Sequence, residues 1–403
     1  MVAYYGVSHC KIFPKLFDPK RISGWDAGVN RRPHDELSFV SHTRQTMAAP
    51  KITRFVNYVV VLVLSVTALK ALYSLYHVVT TSAPDFMYYY EAALTLRGSA
   101  QRHLLPPASV LVYMPLGIFP YEISQGLWIL VSAASLVATI WIVGASVGIT
   151  EKKSLFLITA LSYLSFPTQF TLGMGQVNLL VLLLLVVSVR FKHARHSLWA
   201  GISFALALLL KPEVMLIAPV FFLYRKWRML AVTVLVIALT FLVSIGIFGI
   251  GAYGTYAERL GGLLTGWRDT DIYYNQSLAG LIARGGGTAG WYVLFSTLVL
   301  GTSVYVFWKK RVLFPDIIWK SLPIFILVEP IAWQHHFVFL IPTYIWLWVK
   351  HAPFLVRMML AISYLLVSWN FASSGFLATM PLGWLLASHA TVGAILLWFV
   401  SLI

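Results

Sequence analysis

Charge is scarce in this sequence. Charged residues make up 11% of its 403 residues, against about 25% in an ordinary soluble domain. The deficit runs along the whole chain, which excludes a soluble body carrying one apolar anchor. Cysteine is nearly absent too. Cys10 stands alone, so an internal disulfide and any multi-cysteine metal centre are excluded. Neither a P-loop pattern nor a dinucleotide glycine fingerprint occurs. The connections between apolar runs are short, which leaves no room for a nucleotide-binding domain and excludes active transport driven by the chain's own ATPase.

What is abundant is hydrophobic sequence: 59% of residues, with a mean hydropathy of +0.79. Uncharged runs of about twenty residues recur from residue 55 onward, long enough to cross a hydrocarbon layer of roughly 30 Å as helices. Runs such as Gln176 to Val189 and Met229 to Phe248 do not alternate as barrel strands do. The expected fold is all-α, a polytopic integral membrane bundle of about 10–12 transmembrane helices with re-entrant or interfacial helices on its outer face. The net charge of +16 is dispersed in short basic clusters between apolar runs, the pattern that orients membrane helices, and this argues against a nucleic-acid partner. Residues 1–54 read as a cytoplasmic polar and basic leader, too mixed in charge for a cleavable signal peptide, with weak potential to touch anionic lipid headgroups or a partner. Residues 55–403 read as the transmembrane domain, with outer-face loops at about 80–120 and 250–288.

Placing Lys152, Lys153, Arg190, Lys192, Arg195, Arg225, Lys226, Arg228, Lys309, Lys310, Arg311, Lys350 and Arg357 on the cytoplasmic side requires about twelve crossings with both termini inside. That parity needs Leu198 to Tyr224 to be two short segments meeting at Lys211-Pro212-Glu213, since proline breaks a helix. Ile331 to His336 separates two further short segments in the same way. Most acids beyond the leader, including Asp85, Glu91, Glu213, Asp271 and Glu329, then share the outer face with the polar clusters.

Those clusters carry whatever chemistry the chain performs. Asp85 and Glu91 flank Tyr88-Tyr89-Tyr90; either carboxylate can take a proton from a hydroxyl, and the tyrosines also fit an interfacial aromatic belt. Val110 to Phe119, closed by Pro120, is too short to span and reads as a re-entrant or interfacial helix. Gly173-Met174-Gly175-Gln176-Val177-Asn178 offers close backbone approach and two amides for sugar or phosphate oxygens, or a polar cap on packed helices. Lys211 needs Glu213, another acid or an anionic ligand to keep its charge. Trp267-Arg268-Asp269-Thr270-Asp271, Tyr273 to Ser277 and Arg284 form a polar outer loop with two arginines for an anion. Glu329 to His336 ends in paired histidines; no third ligand accompanies them, so hydrogen bonding is favoured over a metal.

In this order the clusters resemble glycosyltransferase family 87, a bacterial branch of the GT-C superfamily that includes polyprenol-phosphate-mannose-dependent mannosyltransferases. An Asp-Phe-x-x-Tyr-Tyr-x-Ala pattern is matched by Asp85, Phe86, Tyr89, Tyr90 and Ala92. A Tyr-Pro-Pro element follows as Leu105-Pro106-Pro107, with leucine in place of the usual tyrosine, then Pro115, Leu116 and Pro120. Further matches are Gly175 to Asn178, Lys211-Pro212, Asn275 to Leu278 with Arg284, and Trp333 to His336. The resemblance covers roughly residues 80 to 340.

The resemblance implies a GT-C-like fold and an inverting glycosyltransferase without a cofactor or metal. It would move a sugar, mannose by resemblance, from a polyprenyl-phosphate donor to a lipid or glycan acceptor hydroxyl. It places Asp85 as general base and assigns the donor phosphate to Lys211, Arg268, Arg284, His335 and His336. The sugar and acceptor fall to Tyr89, Tyr90, Glu91, Gln176, Asn178, Asp271, Asn275 and Gln276. The implied partners are the lipid-linked donor, a glycolipid or glycan acceptor and membrane lipids, at the extracytoplasmic face of the inner (plasma) membrane. A lipid or small-molecule transporter or flippase is the rival class, because broken helices also hold transported substrates; against it, the two halves show no internal repeat and the polar residues cluster on one side.

Overall fold

The computed structural model describes residues 58, 61–73, 76, 81–94, 105–264, 270–351, 353–371, 377 and 379–403. The leader, Cys10, Arg268 and Asp269 lie outside the described residues. Within them the regular structure is helical, and the β pairing is an isolated bridge between Asn275 and Trp333.

Among the described residues three helices are long and apolar enough to cross a membrane: Tyr121–Ser146, Trp227–Phe248 and Ala289–Lys309. Lys152–Leu164 and Phe166–Met174 qualify together as one span bent by 66°. The bend follows from Ser165, which is extended at ψ 141°, and from Pro167 in the first turn of the second piece, where a ladder hydrogen bond is lost. Other apolar helices are shorter, among them Val61–Tyr73, Ser197–Leu210, Phe354–Ser368 and His389–Leu402. Much of the apolar sequence is thus cut into pieces below full spanning length.

The cuts are structured. Helix α1 (Ser197–Leu210) ends where Lys211 turns extended, and a 3-10 turn, Pro212–Ile217, leads into α2 (Ala218–Leu223). Phe204 and Phe221 meet with ring centroids 4.9 Å apart, so the two arms lie side by side as a hairpin with Lys211 at its tip. A second hairpin pairs α3 (Asp316–Val328) with the 3-10 turn Gln334–Leu340 and α4 (Ile341–Lys350). Phe325 packs on Phe339 at 5.6 Å, and the Thr343 hydroxyl donates to the Trp319 carbonyl at 2.6 Å. Its tip is the stretch from Glu329 to Trp333. The two tips lie at one end of the bundle, with Lys211 Nζ 3.1 Å from His336 Nε2. At the hairpins' other ends, Lys192 interacts electrostatically with Arg228, and His193 with Asp316 and Lys226.

The core runs between these ends. Helix Asn178–His193 buries Leu179, Val181, Leu182 and Leu185 completely, as expected of a helix apolar all round. By contrast, Trp227–Phe248 exposes Val234, Leu235, Leu239, Leu242 and Val243, an outward surface suited to acyl chains. Lipid surroundings remove the hydrophobic drive between helices, leaving close packing and polar contacts to hold them. Two such contacts are Ser188 Oγ on the Ala200 carbonyl at 2.8 Å and Gly201, where an added Cβ would lie 2.6 Å from Val232 Cβ.

Candidate active site

The site begins with the short helix Pro84–Ala93, which carries Asp85 in its first turn and proline at its start, both favourable at a helix N-terminus. The cap residue is Ala83, which offers no side-chain acceptor. Gln125, on the long helix Tyr121–Ser146, supplies one instead: its Oε1 accepts from Ala83 N at 2.7 Å and its Nε2 donates to the Thr81 carbonyl at 2.9 Å. The helix is thereby pinned to a rigid span, and Asp85 with it.

Its other face meets Gly175, which closes helix Phe166–Met174 in the left-handed conformation at φ +69°. Gly175 N donates to the Leu172 carbonyl and Gln176 N to the Thr171 carbonyl at 2.9 Å, the paired bonds of a glycine-terminated helix. A Cβ on Gly175 would stand 2.5 Å from Phe86 Cβ. Glycine is therefore required twice, by backbone conformation and by the approach of the Asp85 helix. Trp128 Nε1 donates to the Gly175 carbonyl at 2.7 Å and fixes the turn.

The turn delivers Gln176 to Asp85. Gln176 Nε2 donates to Asp85 Oδ2 at 2.6 Å, and the Tyr89 hydroxyl donates to Gln176 Oε1 at 2.7 Å. Asp85 is half-buried; burial raises its carboxyl above the usual range, while the Gln176 bond and the Lys211 charge pull it back in part. Tyr89 stacks on Tyr113 with centroids 4.7 Å apart and planes 3° from parallel, and the Tyr113 hydroxyl donates to the Leu210 carbonyl at 3.1 Å. A continuous path of contacts thus joins Asp85 to the residue preceding Lys211.

Lys211 is buried, with Glu213 Oε1 at 3.7 Å and His336 Nε2 at 3.1 Å. His336 Nδ1 lies 3.2 Å from Glu329 Oε2, and both side chains are buried. His335 packs among Phe170, Trp333 and His336. Its carbonyl accepts from Asn178 Nδ2 and Thr171 Oγ1, each at 3.1 Å. His335 Nδ1 and Asn178 Oδ1 are buried with no hydrogen-bond partner. Among the described residues no three His, Cys, Asp or Glu side chains converge as a metal-ligating group.

The remaining candidates divide. Tyr90 donates to the Phe119 carbonyl at 3.0 Å, and Glu91 is half-buried one turn and a half beyond Asp85 on the same helix. Asp271 is exposed and interacts with Arg284. Asn275 and Gln276 are buried and spend their amides on backbone. Asn275 Nδ2 donates to the Thr270 carbonyl at 3.0 Å while its Oδ1 accepts from Ala332 N at 3.1 Å. Gln276 Nε2 donates to the Tyr273 and Ala387 carbonyls at 2.6 and 2.7 Å, and its Oε1 accepts from Ala390 N at 3.2 Å. Arg284 likewise clasps the Ile272 and Asn275 carbonyls and Ser388 Oγ, and burial pulls its guanidinium down to about 10, still cationic at neutral pH. Asn275 ties the loop to the Glu329–Trp333 tip, its Nδ2 also donating to the Pro330 carbonyl at 3.3 Å, whereas Gln276 and Arg284 tie it to residues 387–390. Arg268 lies outside the described residues.

Residues that the motif reading passed over complete the site: Gln125, Trp128, Tyr113 and Thr171. A buried amide on an otherwise apolar span, such as Gln125, is the kind of signal that marks function in a membrane helix.

The sequence model of Glycosyltransferase family 87 matches residues 104–368. Two curated proteins are similar, both described as a polyprenol-phosphate-mannose-dependent alpha-(1-2)-phosphatidylinositol pentamannoside mannosyltransferase. That of Mycolicibacterium smegmatis is 25% identical over 72% of this chain and 75% of its own length. That of Mycobacterium tuberculosis is 29% identical over 60% of this chain and 57% of its own length. No solved structure matches the chain.

Proposed function

The chain belongs to glycosyltransferase family 87, and from that premise we propose that it is an inverting membrane glycosyltransferase. It moves a mannosyl unit from a polyprenyl-phosphate donor to a hydroxyl of a glycolipid or glycan. The observation that carries this reading is the half-buried Asp85 carboxylate, held by Gln176 and linked through Tyr89 and Tyr113 to the buried Lys211–His336 pair. A base and a fixed cation thus stand at one end of the bundle.

In the proposed step the acceptor oxygen attacks the anomeric carbon from the face opposite phosphate. The carbon–oxygen bond to phosphate breaks, polyprenyl phosphate leaves with the electron pair, and Asp85 takes the acceptor's proton. Raising the carboxyl makes it a stronger base than free aspartate. Charge developing on the phosphate meets Lys211, which is already in place and mostly shielded from water, so stabilisation costs little reorganisation. Phosphate is a good leaving group and needs no general acid. Gln176, by holding Oδ2, leaves Oδ1 for the acceptor. Tyr90, Glu91, Asn178, His335 and Asp271 are the proposed sugar and acceptor contacts, while Asn275, Gln276 and Arg284 shape the loop around them.

The membrane arrangement belongs to the same proposal. Counting the hairpin arms as crossings gives a polytopic GT-C bundle whose site end is extracytoplasmic and whose basic end is cytoplasmic, in accord with positive-inside orientation. Hairpin tips leave backbone and polar groups near the interface, where a lipid phosphate lies while its tail enters between helices.

The test is reconstitution of the purified protein with polyprenyl-phosphate-mannose and a membrane glycolipid extract. Equal amounts of mannosylated product and released polyprenyl phosphate are expected, with the anomeric configuration inverted. Release without transfer, or no reaction with mannose and a panel of other polyprenyl-phosphate sugars, overturns the reading.

A further inference from the structure

The contact between Lys211 and His336 fixes the place of a proton. An ammonium group only donates, so His336 Nε2, 3.1 Å from Lys211 Nζ, presents its lone pair. The neutral ring then carries its hydrogen on Nδ1, where Glu329 Oε2 lies 3.2 Å away to receive it. Glu329, His336 and Lys211 are 4%, 3% and 7% exposed, so water does not compete for these bonds. Glu213 also lies within reach of the ammonium, at 3.7 Å, and is partly open to solvent.

We propose that Glu329 is a positioning residue for the anionic group of the donor, acting through the His336 tautomer on the Lys211 ammonium. Lys211 has two partners within reach, a buried imidazole nitrogen and a more exposed carboxylate. With Glu329 present, His336 offers a lone pair and holds the ammonium inward, with its remaining N–H groups free for a phosphate monoester. Without Glu329, the Nδ1 hydrogen is buried with no acceptor, and Lys211 alone favours that tautomer. A ring that escapes this cost by moving its hydrogen to Nε2 opposes the ammonium donor to donor, and Lys211 then turns toward Glu213, which competes with the phosphate for its charge. His336 on this account orients Lys211 and does not itself bind phosphate through Nε2. The proposal rests on the reading that the donor phosphate lies at Lys211.

The probe is a short-chain polyprenyl monophosphate, whose equilibrium binding to the full chain in detergent needs no turnover. Glu329→Gln keeps an acceptor oxygen and is expected to bind within about threefold of wild type. Glu329→Leu is expected to bind roughly ten- to hundredfold more weakly, the range for losing one hydrogen bond to a charged group. In transfer assays it raises the donor KM and leaves the acceptor KM unchanged. His336→Asn, which keeps a donor toward Glu329 but loses the acceptor for Lys211, is expected to weaken binding alike and serves if Glu329→Leu fails to fold. In a Lys211→Met background Glu329→Leu should add nothing, since residues acting in series are non-additive. Full additivity, or wild-type binding by Glu329→Leu, overturns the positioning role while leaving the phosphate at Lys211. Wild-type binding by Lys211→Met overturns the phosphate placement itself, and this proposal with it.

Discussion

Gln176 and Asp85, 91 positions apart in sequence, are joined by a 2.6 Å hydrogen bond from the Gln176 amide nitrogen to Asp85 Oδ2. The carboxylate only accepts, so the amide nitrogen faces it and the amide oxygen accepts from the Tyr89 hydroxyl at 2.7 Å. The tyrosine thus anchors the far end of the glutamine that the carboxylate orients.

Tyr89→Phe removes that constraint and keeps the ring stacked on Tyr113. The Gln176 amide oxygen then loses its partner, and the side chain that holds Asp85 Oδ2 is fixed less firmly. The turnover rate should fall by roughly tenfold, the effect of about one hydrogen bond, with donor affinity little changed. Separate kcat and donor KM values check this; a change confined to KM contradicts it.

Acid should switch the enzyme off earlier than an ordinary aspartate would. Burial raises the Asp85 carboxyl, so the base becomes protonated, and transfer is lost, as pH falls through that raised value. Gln176→Leu deletes the bond that pulls it back, so the acid limb of the kcat/KM profile should move to higher pH. A limb that stays put, or moves down, contradicts the assignment of the limb to Asp85.

Gly175→Ala combines a left-handed backbone with a Cβ 2.5 Å from Phe86 Cβ. Strain of about 1–3 kcal/mol is expected, and the displaced element is the Asp85 helix. Thermal unfolding in detergent should show a lower midpoint, with activity reduced more than the fraction folded. Gly173→Ala is the control, as a Cβ there meets nothing within 4 Å.

The helical class was legible in the sequence because apolar runs without alternation leave few other folds. The break at Lys211-Pro212 was equally plain: the basic clusters and the proline require the chain to turn there, and Phe204 on Phe221 shows that it does. Asp85, Gln176 and Lys211 stood out as polar residues in apolar surroundings. What sequence spacing could not convey is how amides are employed. Asn275 and Gln276 look like sugar ligands in a motif, yet their donors and acceptors are turned onto backbone. Equally hidden were the Gln125 cap on Ala83 and the link from Glu329 to Lys211, which join distant segments whose pairing only the fold decides.

Asn275 and Gln276 yield a prediction of their own. Asn275→Ala and Gln276→Leu each leave backbone groups of the loop without partners, at about 1–3 kcal/mol per buried group. Both should lower thermal stability clearly and change the acceptor KM little at a temperature where the protein stays folded. A raised acceptor KM at undiminished stability would return these amides to the sugar-binding surface.

The most direct test of the whole account is mannose transfer by Asp85→Asn beside wild type, with polyprenyl-phosphate binding measured on both. Asparagine fits the same space and cannot take the proton, so transfer should fall by about 10²–10⁴-fold while phosphate binding persists. Transfer that survives the substitution unchanged would contradict the account and direct the search for the base to Glu91 and Asp271.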